Sequence, residues 1–345
     1  MKISATLFAA AAAALLAGCA AGGSTPQQQS VTQSLRADAY PLGAYGAKIT
    51  AGELRTAAPA RNTLKYHVDA KSRLVYVSNL GAGAIDVFDQ KGQIQAPIAT
   101  ITDGILGPGG LTTDKKGNLY VADEGPISGK WTVQVYAPGT TTPAKSYTTD
   151  LDSPTDTAVG KDGSIYIANF NGLKNGWVAV YPQGDTSKEY RLSDFNGGAP
   201  LSVALDAKGN LYVMYDIDTN SEDVSAVNEY APGATSGTNL NLQFNAGGGI
   251  QVDRKGNIIV AQQLDPSEIL IFPRGQTQAS KEISMPGGGE PFNFALNHGS
   301  KTLFAAEYYT ANQIDRFAYP STKFQYVIAN NFNNPSGVAV APTEF

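Results

Sequence analysis

The chain has 345 residues, 42% of them hydrophobic and 16% charged, so it is long enough to bury a large core. Its net charge of −5, without a run of like charges, lacks the basic footprint of nucleic-acid-binding proteins. Its 37 glycines, 19 prolines and 17 tyrosines favour many short strands joined by turns over helices.

Residues 1–18 are predicted to be a secretory signal peptide. Lys2 provides the positive start and residues 3–15 an apolar stretch, which is shorter than the roughly 20 residues of a membrane-spanning helix. The end of the signal, Leu16-Ala17-Gly18-Cys19, resembles the lipobox of bacterial lipoproteins. The alternative is an ordinary cleaved signal with an incidental cysteine.

The lipobox resemblance implies cleavage before Cys19 and acylation of its sulfur and of the new amino group, for example with palmitate. Several acyl chains anchor a protein stably where one is marginal. The expected location is the extracytoplasmic side of a bacterial membrane. The absence of Asp after Cys19 resembles the sorting pattern for the outer membrane in Gram-negative hosts. Cys19 is the single cysteine of the chain, so no disulfide framework is predicted.

The segment that follows the signal, residues 19–61, is rich in Gly, Ala, Gln and Ser and lacks clear periodicity. This composition is typical of a flexible tether. The folded domain is predicted to begin at residue 62 and to continue to residue 345.

Within residues 62–345 a short strand recurs at steps of 44 to 47 residues. The copies are VYVSN (75–79), LYVAD (119–123), IYIAN (165–169), LYVMY (211–215), IIVAQ (258–262) and LFAAE (303–307). A short strand with an Asp-x-x-Gly turn precedes most copies, and a third strand ending in Phe or Tyr follows each one. A weaker fourth strand completes the unit.

Such a unit cannot bury both of its faces alone, and radial stacking solves this problem. The 284 residues of the domain have room for six units. The predicted fold is therefore all-β, a six-bladed β-propeller of four-stranded antiparallel blades, with seven blades as the alternative. A further copy of the first-strand pattern, PSGVAVAP (335–342), predicts that the C-terminal strand joins blade 1 and closes the ring.

The repeated unit resembles the NHL-type six-bladed propellers and their relatives, the SMP-30/gluconolactonase-like enzymes. The resemblance covers nearly the whole domain, but its motifs are structural, and one fold hosts many functions. The metal ligands of the enzyme family cannot be placed on this chain position by position. No catalytic residue is therefore assigned.

Candidate ligands come from the face where the second strands end. The residue before each inner strand is small in most blades (Gly110, Ser202, Gly249 and Gly337), whereas blades 3 and 6 have Asp156 and Asn293. The residues alone establish no cofactor. The enzyme resemblance implies an axial Ca²⁺ or Mg²⁺ held by oxygen ligands. The predicted set is Asp156, Asn169, Asn293 and Glu307, with Asp123 nearby.

Each of these residues also has a structural interpretation. An acid or amide at a strand end commonly bonds nearby backbone, and its recurrence in several blades favours that role. In the same way Asp216, Asp218 and Asn220 have the 1-3-5 spacing of an EF-hand loop, yet the sixth position is Ser221 and the twelfth is Val227. This stretch is either a weak Ca²⁺ site or a polar hairpin loop.

The function predicted from the sequence is a lipid-anchored extracytoplasmic binding or scaffold module of the bacterial envelope. Its expected partners are the membrane, through the anchor, and a protein, peptide or glycan; nucleic acid is not expected. The alternative is a metal-dependent lactonase-like hydrolase that uses the axial set.

Overall fold

The computed structural model describes residues 72–127, 130–171, 175–218, 223–264 and 266–342, with side chains placed for most of them. The predicted signal peptide, Cys19, the tether and the central residue of the EF-hand-like loop, Asn220, lie outside the described residues. No helix in the described part of the chain is long and apolar enough to cross a membrane.

The described chain forms six four-stranded antiparallel sheets, which confirms the predicted six-bladed propeller. Blade 1 contains β1 (Leu74–Asn79), β2 (Ala84–Asp89), β3 (Ala99–Ile101) and, as its inner strand, the C-terminal β24 (Pro335–Ala341). Blade 2 contains β4 (Pro108–Thr113), β5 (Leu119–Ile127), β6 (Lys130–Tyr136) and β7 (Lys145–Tyr147), and blade 3 contains β8 (Pro154–Val159), β9 (Ile165–Asn169), β10 (Trp177–Tyr181) and β11 (Tyr190–Leu192).

The other three blades follow the same inner-to-outer order. Blade 4 contains β12 (Ala199–Leu205), β13 (Leu211–Asp218), β14 (Asp223–Tyr230) and β15 (Thr238–Asn239). Blade 5 contains β16 (Gly247–Val252), β17 (Ile258–Gln262), β18 (Glu268–Phe272) and β19 (Lys281–Ser284). Blade 6 contains β20 (Glu290–Leu296), β21 (Thr302–Tyr308), β22 (Gln313–Ala318) and β23 (Lys323–Ala329). Short 3-10 turns cover Leu80–Ala82, Pro182–Gly184 and Thr186–Lys188.

The core lies between the blades. Each of the six large apolar clusters combines side chains from two neighbouring blades, as where Tyr76 and Ile85 of blade 1 meet Leu111 and Val121 of blade 2. These four side chains are at most 4% exposed. Because each sheet is apolar on both faces, it is stable only when a neighbour covers each face, and a closed ring provides that.

The ring closes through the last strand. β24 pairs with β1 from Leu74↔Ala341 to Ser78↔Gly337, as the extra copy of the first-strand pattern predicts. A second contact closes the ring at its outer edge, where the backbone N–H groups of Ile94 and Gln95 in blade 1 donate to Val327 and Ile328 of β23 at 3.1 and 3.0 Å. The chain therefore passes from blade 6 into the inner strand of blade 1, and the two blades also contact each other at their outer edges.

The propeller has two faces with different chain segments. The loop face contains the ends of the second strands and the loops that lead into the next inner strand. The turn face contains the turns from the inner to the second strand and the loops between the third and fourth strands. In the turns that begin with Asp114, Asp206 and Asp253, a glycine adopts a left-handed conformation, with φ of +83° at Gly117 and +87° at Gly209.

Candidate functional site

The strand-end residues of the loop face hold the loops in place. The carboxylate of Asp123 accepts hydrogen bonds from the backbone N–H groups of Leu106, Gly107 and Gly125 at 2.9, 2.7 and 3.1 Å. Its side chain is fully buried. Burial raises the pKa of Asp123 to about 6, although the three N–H donors oppose the rise.

The same arrangement recurs around the ring. Glu307 accepts from the N–H groups of Gly287 and Gly289 at 2.9 and 3.3 Å, and Asn169 accepts from Asp152 at 3.0 Å. Equivalent bonds to the loop backbone are made by Asn79 and Gln262. In each case the acceptor side chain fastens the loop that precedes the inner strand of its own blade. Asp123, Asn169 and Glu307 therefore have a structural task in this fold.

Asp156 and Asn293 lie where an inner strand begins. β-bulges shift the pairing register at this point in blades 2 to 6, as between Pro154 and Asp156. The Asp156 Oδ1 accepts the N–H of Thr157 at 2.8 Å, and Asn293 accepts the N–H of Phe294 at 2.6 Å. Both side chains thus satisfy their own strand at the bulge.

Asp156 also joins two blades. Its Oδ2 accepts the Ser202 hydroxyl at 2.5 Å and the N–H of Val203 at 3.2 Å, both from blade 4. The Ser202 Oγ in turn accepts the N–H of Ile250 in blade 5 at 3.1 Å. Burial raises the pKa of Asp156 to about 7 against these hydrogen bonds. A chain of hydrogen bonds therefore links three successive inner strands.

The five predicted metal ligands stay a prediction. Each makes its hydrogen bonds to other groups, and no three His, Cys, Asp or Glu side chains of the described residues are arranged to hold a metal ion. The Ca²⁺-loop candidates Asp216 and Asp218 lie in β13, paired with Ser225 and Asp223 of β14, as in an extended hairpin. The Ser225 hydroxyl donates to the Asp216 carboxylate.

A pair of buried carboxyl groups in blade 6 was not predicted from the sequence. Asp315 lies on β22 against Glu307, and neither side chain is exposed. Burial and the hydrogen-bonding, negatively charged Glu307 raise the pKa of Asp315 to about 9. The Gln313 Nε2 donates to the Asp315 Oδ1 at 2.8 Å. Asp315 therefore keeps its proton at neutral pH.

On the turn face the aspartates of the turns bond to their own turns, whereas the lysines of the same turns are exposed to solvent. The Asp114 carboxylate turns inward and accepts from the N–H groups of Lys116 and Asn118 at 2.8 and 2.9 Å and from the Asn118 Nδ2 at 2.7 Å. Asp206 and Asp253 make the same three bonds in their own turns. The lysines of these turns are exposed. In each Asp-x-Lys-Gly-Asn turn, the aspartate therefore stabilises the turn through its own hydrogen bonds, and the lysine side chain extends into solvent.

A cleft of about 770 Å³ opens on the turn face where blades 2, 3 and 4 meet. Five lysines line it: Lys115, Lys116, Lys145, Lys161 and Lys208. Tyr120, Tyr147 and Tyr166 form part of its wall, and Asp114, Asp162 and Asp206 are the acids. All five lysines are exposed, whereas Asp114 and Asp206 are occupied by their own turns.

Two of these lysines are positioned by bonds to backbone carbonyls. The Lys145 Nζ donates to the Tyr147 hydroxyl at 2.7 Å and to the Gly184 carbonyl at 3.0 Å, while the Lys161 Nζ donates to the Ala207 carbonyl at 2.8 Å. Burial, followed by the nearby Tyr190 and Asp162, raises the pKa of Tyr166 to about 12. At neutral pH the cleft therefore combines ammonium groups with neutral phenols.

Sequence reasoning placed the candidate site on the loop face and missed this cleft. A signal was present, because a lysine directly precedes the turn glycine in Lys116, Lys208 and Lys255, and Lys161 lies one position earlier in its own turn. A single exposed lysine in a turn does not indicate a site. The concentration of positive charge is visible only in the folded ring, where the turns of blades 2, 3 and 4 lie side by side.

No protein-family model and no curated protein sequence matches the chain. A protein of unknown function from Bacteroides caccae matches its structure with a TM-score of 0.57 and 13% identity, over 78% of this chain and 99% of that one. A streptogramin B lyase matches with a TM-score of 0.47 and 12% identity, over 66% of this chain and 70% of the lyase chain. At these identities the first likeness supports the propeller fold alone.

Proposed function

We propose that the protein is a lipid-anchored extracytoplasmic β-propeller that binds anionic ligands through the cleft between blades 2, 3 and 4. The observation that carries this proposal is the convergence of five lysines on one concave site. The envelope location follows from the lipobox-like sequence that ends at Cys19. The loop face stays the predicted place for a protein, peptide or glycan partner.

The chemistry of the cleft supports phosphate or carboxylate groups as ligands. Its volume of about 770 Å³ is within the usual range for small-molecule sites. Lysine ammonium groups bind phosphate as point charges, and a concave wall strengthens their combined field. Burial raises the pKa of Tyr120 and Tyr166 further above the ordinary value of about 10, so both phenols are neutral hydrogen-bond donors.

Binding is better supported than the lactonase alternative. A hydrolase of that kind requires carboxylate oxygens that are available to a cation or to a water molecule. In this structure the oxygens of Asp123, Asp156 and Glu307 accept backbone N–H groups. Moving them to a cation breaks bonds that hold the loops and inner strands.

The proposal is tested by calorimetric titration of the full chain with pyrophosphate at low ionic strength. The variant Lys116→Ala/Lys161→Ala/Lys208→Ala removes three positive charges from the cleft, and its affinity is expected to fall at least tenfold. Its matched control, Lys255→Ala/Lys281→Ala/Lys323→Ala, removes three charges from the same face at blades 5 and 6, outside the cleft. The control is expected to lose less than threefold.

Equal losses in the two variants contradict a discrete site in the cleft. Absence of pyrophosphate binding by the unmodified protein contradicts the anion-binding function itself. All six lysines are exposed, so neither variant is expected to unfold the domain.

A further inference from the structure

Positive charge is concentrated on the turn face well beyond the cleft. Among the described lysines and arginines with placed side chains, all except Arg191 and Arg316 lie in the turns or in the third-to-fourth-strand loops of this face, or where strands begin there. They are Arg73, Lys91, Lys115, Lys116, Lys145, Lys161, Lys188, Lys208, Arg254, Lys255, Arg274, Lys281, Lys301 and Lys323. A protein of net charge −5 thus gathers most of its described basic side chains on one face.

The acids of the turn face weaken this field only in part. Asp114, Asp206 and Asp253 are bound within their turns. Asp89 accepts the N–H of Lys91, and Asp162 accepts the N–H and hydroxyl of Ser164. Asp185, Glu189, Glu229 and Glu282 also lie on this face, and the Asp185 carboxylate pairs with the Lys188 ammonium at 3.3 Å. The fourteen basic residues nevertheless outnumber these nine acids among the described residues of the face.

Exposed apolar side chains accompany the positive charge. The large hydrophobic residues that stand out in solvent among the described residues are Ile94, Ile98, Phe324 and Val224, at 62, 47, 39 and 43% exposure. Ile94 and Ile98 lie in the loop from β2 to β3, which leaves β2 at the turn face, and Phe324 lies at the turn-face start of β23. The Ile94 N–H bond to Val327 joins this loop to the middle of β23. Basic groups around a small apolar rim are typical of surfaces that bind the interface of a bilayer.

The connection to the N-terminal segment lies on the same face. The described chain starts at Ser72 and leads directly into β1, which runs from the turn face to Asn79 on the loop face. The Arg73 carbonyl accepts the N–H of Gln90 at 2.8 Å, which places this start beside the loop that contains Ile94 and Ile98. The described chain is therefore entered from the turn face.

We infer that the turn face docks onto a bilayer rich in anionic phospholipids, and this inference rests on the proposed lipid anchor and anion-binding cleft. Ile94, Ile98 and Phe324 enter the headgroup region, and the surrounding lysines and arginines lie at the phosphates. The cleft receives headgroup phosphates, which gives its anionic ligand a source. Docked in this way, the propeller turns its loop face toward the periplasm or the medium.

The test uses the lipidated full-length protein reconstituted into vesicles with a headgroup-linked nitroxide quencher. A fluorophore is attached through Gln93→Cys on the turn face or, as the matched control, through Ser193→Cys on the loop face; both positions are exposed. Cys19 is acylated in the mature protein and does not react. Vesicles of phosphatidylglycerol and phosphatidylethanolamine are compared with vesicles of phosphatidylcholine.

The Gln93 label is expected to be quenched at least threefold more in the anionic vesicles than in the neutral ones. Salt at 0.5 M should remove this difference, because it screens charges. The Debye length falls from about 10 Å at 0.1 M salt to about 3 Å at 1 M. The Ser193 label should stay unquenched throughout. Lys91→Glu/Lys281→Glu/Lys323→Glu should abolish quenching of the Gln93 label, and Ile94→Ser/Ile98→Ser should reduce it, while both variants still float with the vesicles.

The outcomes separate the two proposals. A protein that floats with the vesicles but whose Gln93 label is unquenched, or is quenched equally in neutral lipid, overturns docking and leaves the anchor intact. Quenching of the Ser193 label in its place overturns the orientation. A protein that does not float at all contradicts the lipid anchor, and failure to bind soluble pyrophosphate contradicts the cleft as an anion site.

Discussion

The paired carboxyl groups of Glu307 and Asp315 combine two tasks in one buried position of blade 6. Glu307 accepts the N–H groups of Gly287 and Gly289 and in this way holds its loop. Asp315 lies against it in the same water-free environment, and two adjacent negative charges there are costly. Asp315 therefore keeps its proton at neutral pH.

Protonation of Asp315 makes stability depend on pH. Its pKa of about 9 in the folded protein is far above the usual 3.8, so between these two values the folded state binds more protons than the unfolded state. The free energy of unfolding is therefore expected to fall as pH rises through that window. Urea denaturation at pH 5, 7 and 9 measures the effect.

Asp315→Asn is the matched variant for this prediction. The asparagine amide mimics the protonated acid, since it donates to Glu307 and still accepts from Gln313. Its unfolding free energy should depend less on pH than that of the unmodified protein and should exceed it at pH 9. An unchanged pH dependence would show that other groups, such as Asp123 with its pKa of about 6, account for it.

The sequence position of Asp123 suggests a catalytic role that its contacts do not support. An acid at the end of a buried strand is a typical catalytic position, and a raised pKa strengthens that impression. Its three backbone donors show instead that the carboxylate organises the loop around residues 106 and 107. The structural interpretation offered for it from the sequence therefore agrees with its contacts, whereas metal binding at the strand ends stays a prediction.

Among the elements, the inner strands depend on polar side chains at their bulges. A bulge interrupts the ladder and leaves backbone N–H groups that need another acceptor. Asp156 supplies two acceptors at once, one to Thr157 of its own strand and one to Val203 of the next blade. Sequence comparison of the blades singled out Asp156 because it departs from the small residues elsewhere, but only the contacts reveal this bridging role.

Asp156→Ala is expected to lower the free energy of unfolding by about 2 to 3 kcal/mol, because it leaves buried N–H groups without an acceptor. The exposed Asp103 provides the control, and Asp103→Ala should change stability by less than about 0.5 kcal/mol. Both values come from urea denaturation at pH 7. A loss below about 1 kcal/mol for Asp156→Ala would contradict the bridging role.

At the level of the whole molecule, the two faces of the propeller differ in chemistry. Acid and amide side chains at the loop face bind backbone and keep the loops in place, while the turn face exposes lysines and arginines. The described chain also begins on the turn face, at Ser72.

The anchor is tested through Cys19. Cys19→Ser removes the thiol that becomes acylated, so labelling with a palmitate analogue should disappear and the protein should leave the membrane fraction at high salt. The matched control is Ser24→Ala, which changes a nearby hydroxyl in the predicted tether. Equal membrane retention of the two variants would favour an ordinary cleaved signal peptide.

The repeat determined the architecture from the residues alone. Strand pattern, turn chemistry and a period of 44 to 47 residues predict six blades, and the extra PSGVAVA copy predicts the closing strand. These signals are local, because alternation and turn glycines constrain neighbouring residues in the chain. Because the same patterns recur in every blade, an atypical sequence in one blade can be aligned with the other five.

The site depended on distances between blades, which no local pattern contains. Lys116, Lys161 and Lys208 are separated by more than forty residues at each step, and only the ring places them around one cleft. The raised pKa of Asp315 and the hydrogen bond between Ser202 and Asp156 likewise depend on burial and on contacts between strands. Chain order is sufficient to predict a propeller, whereas the charge of a face and the pKa of a buried acid are properties of the assembled ring.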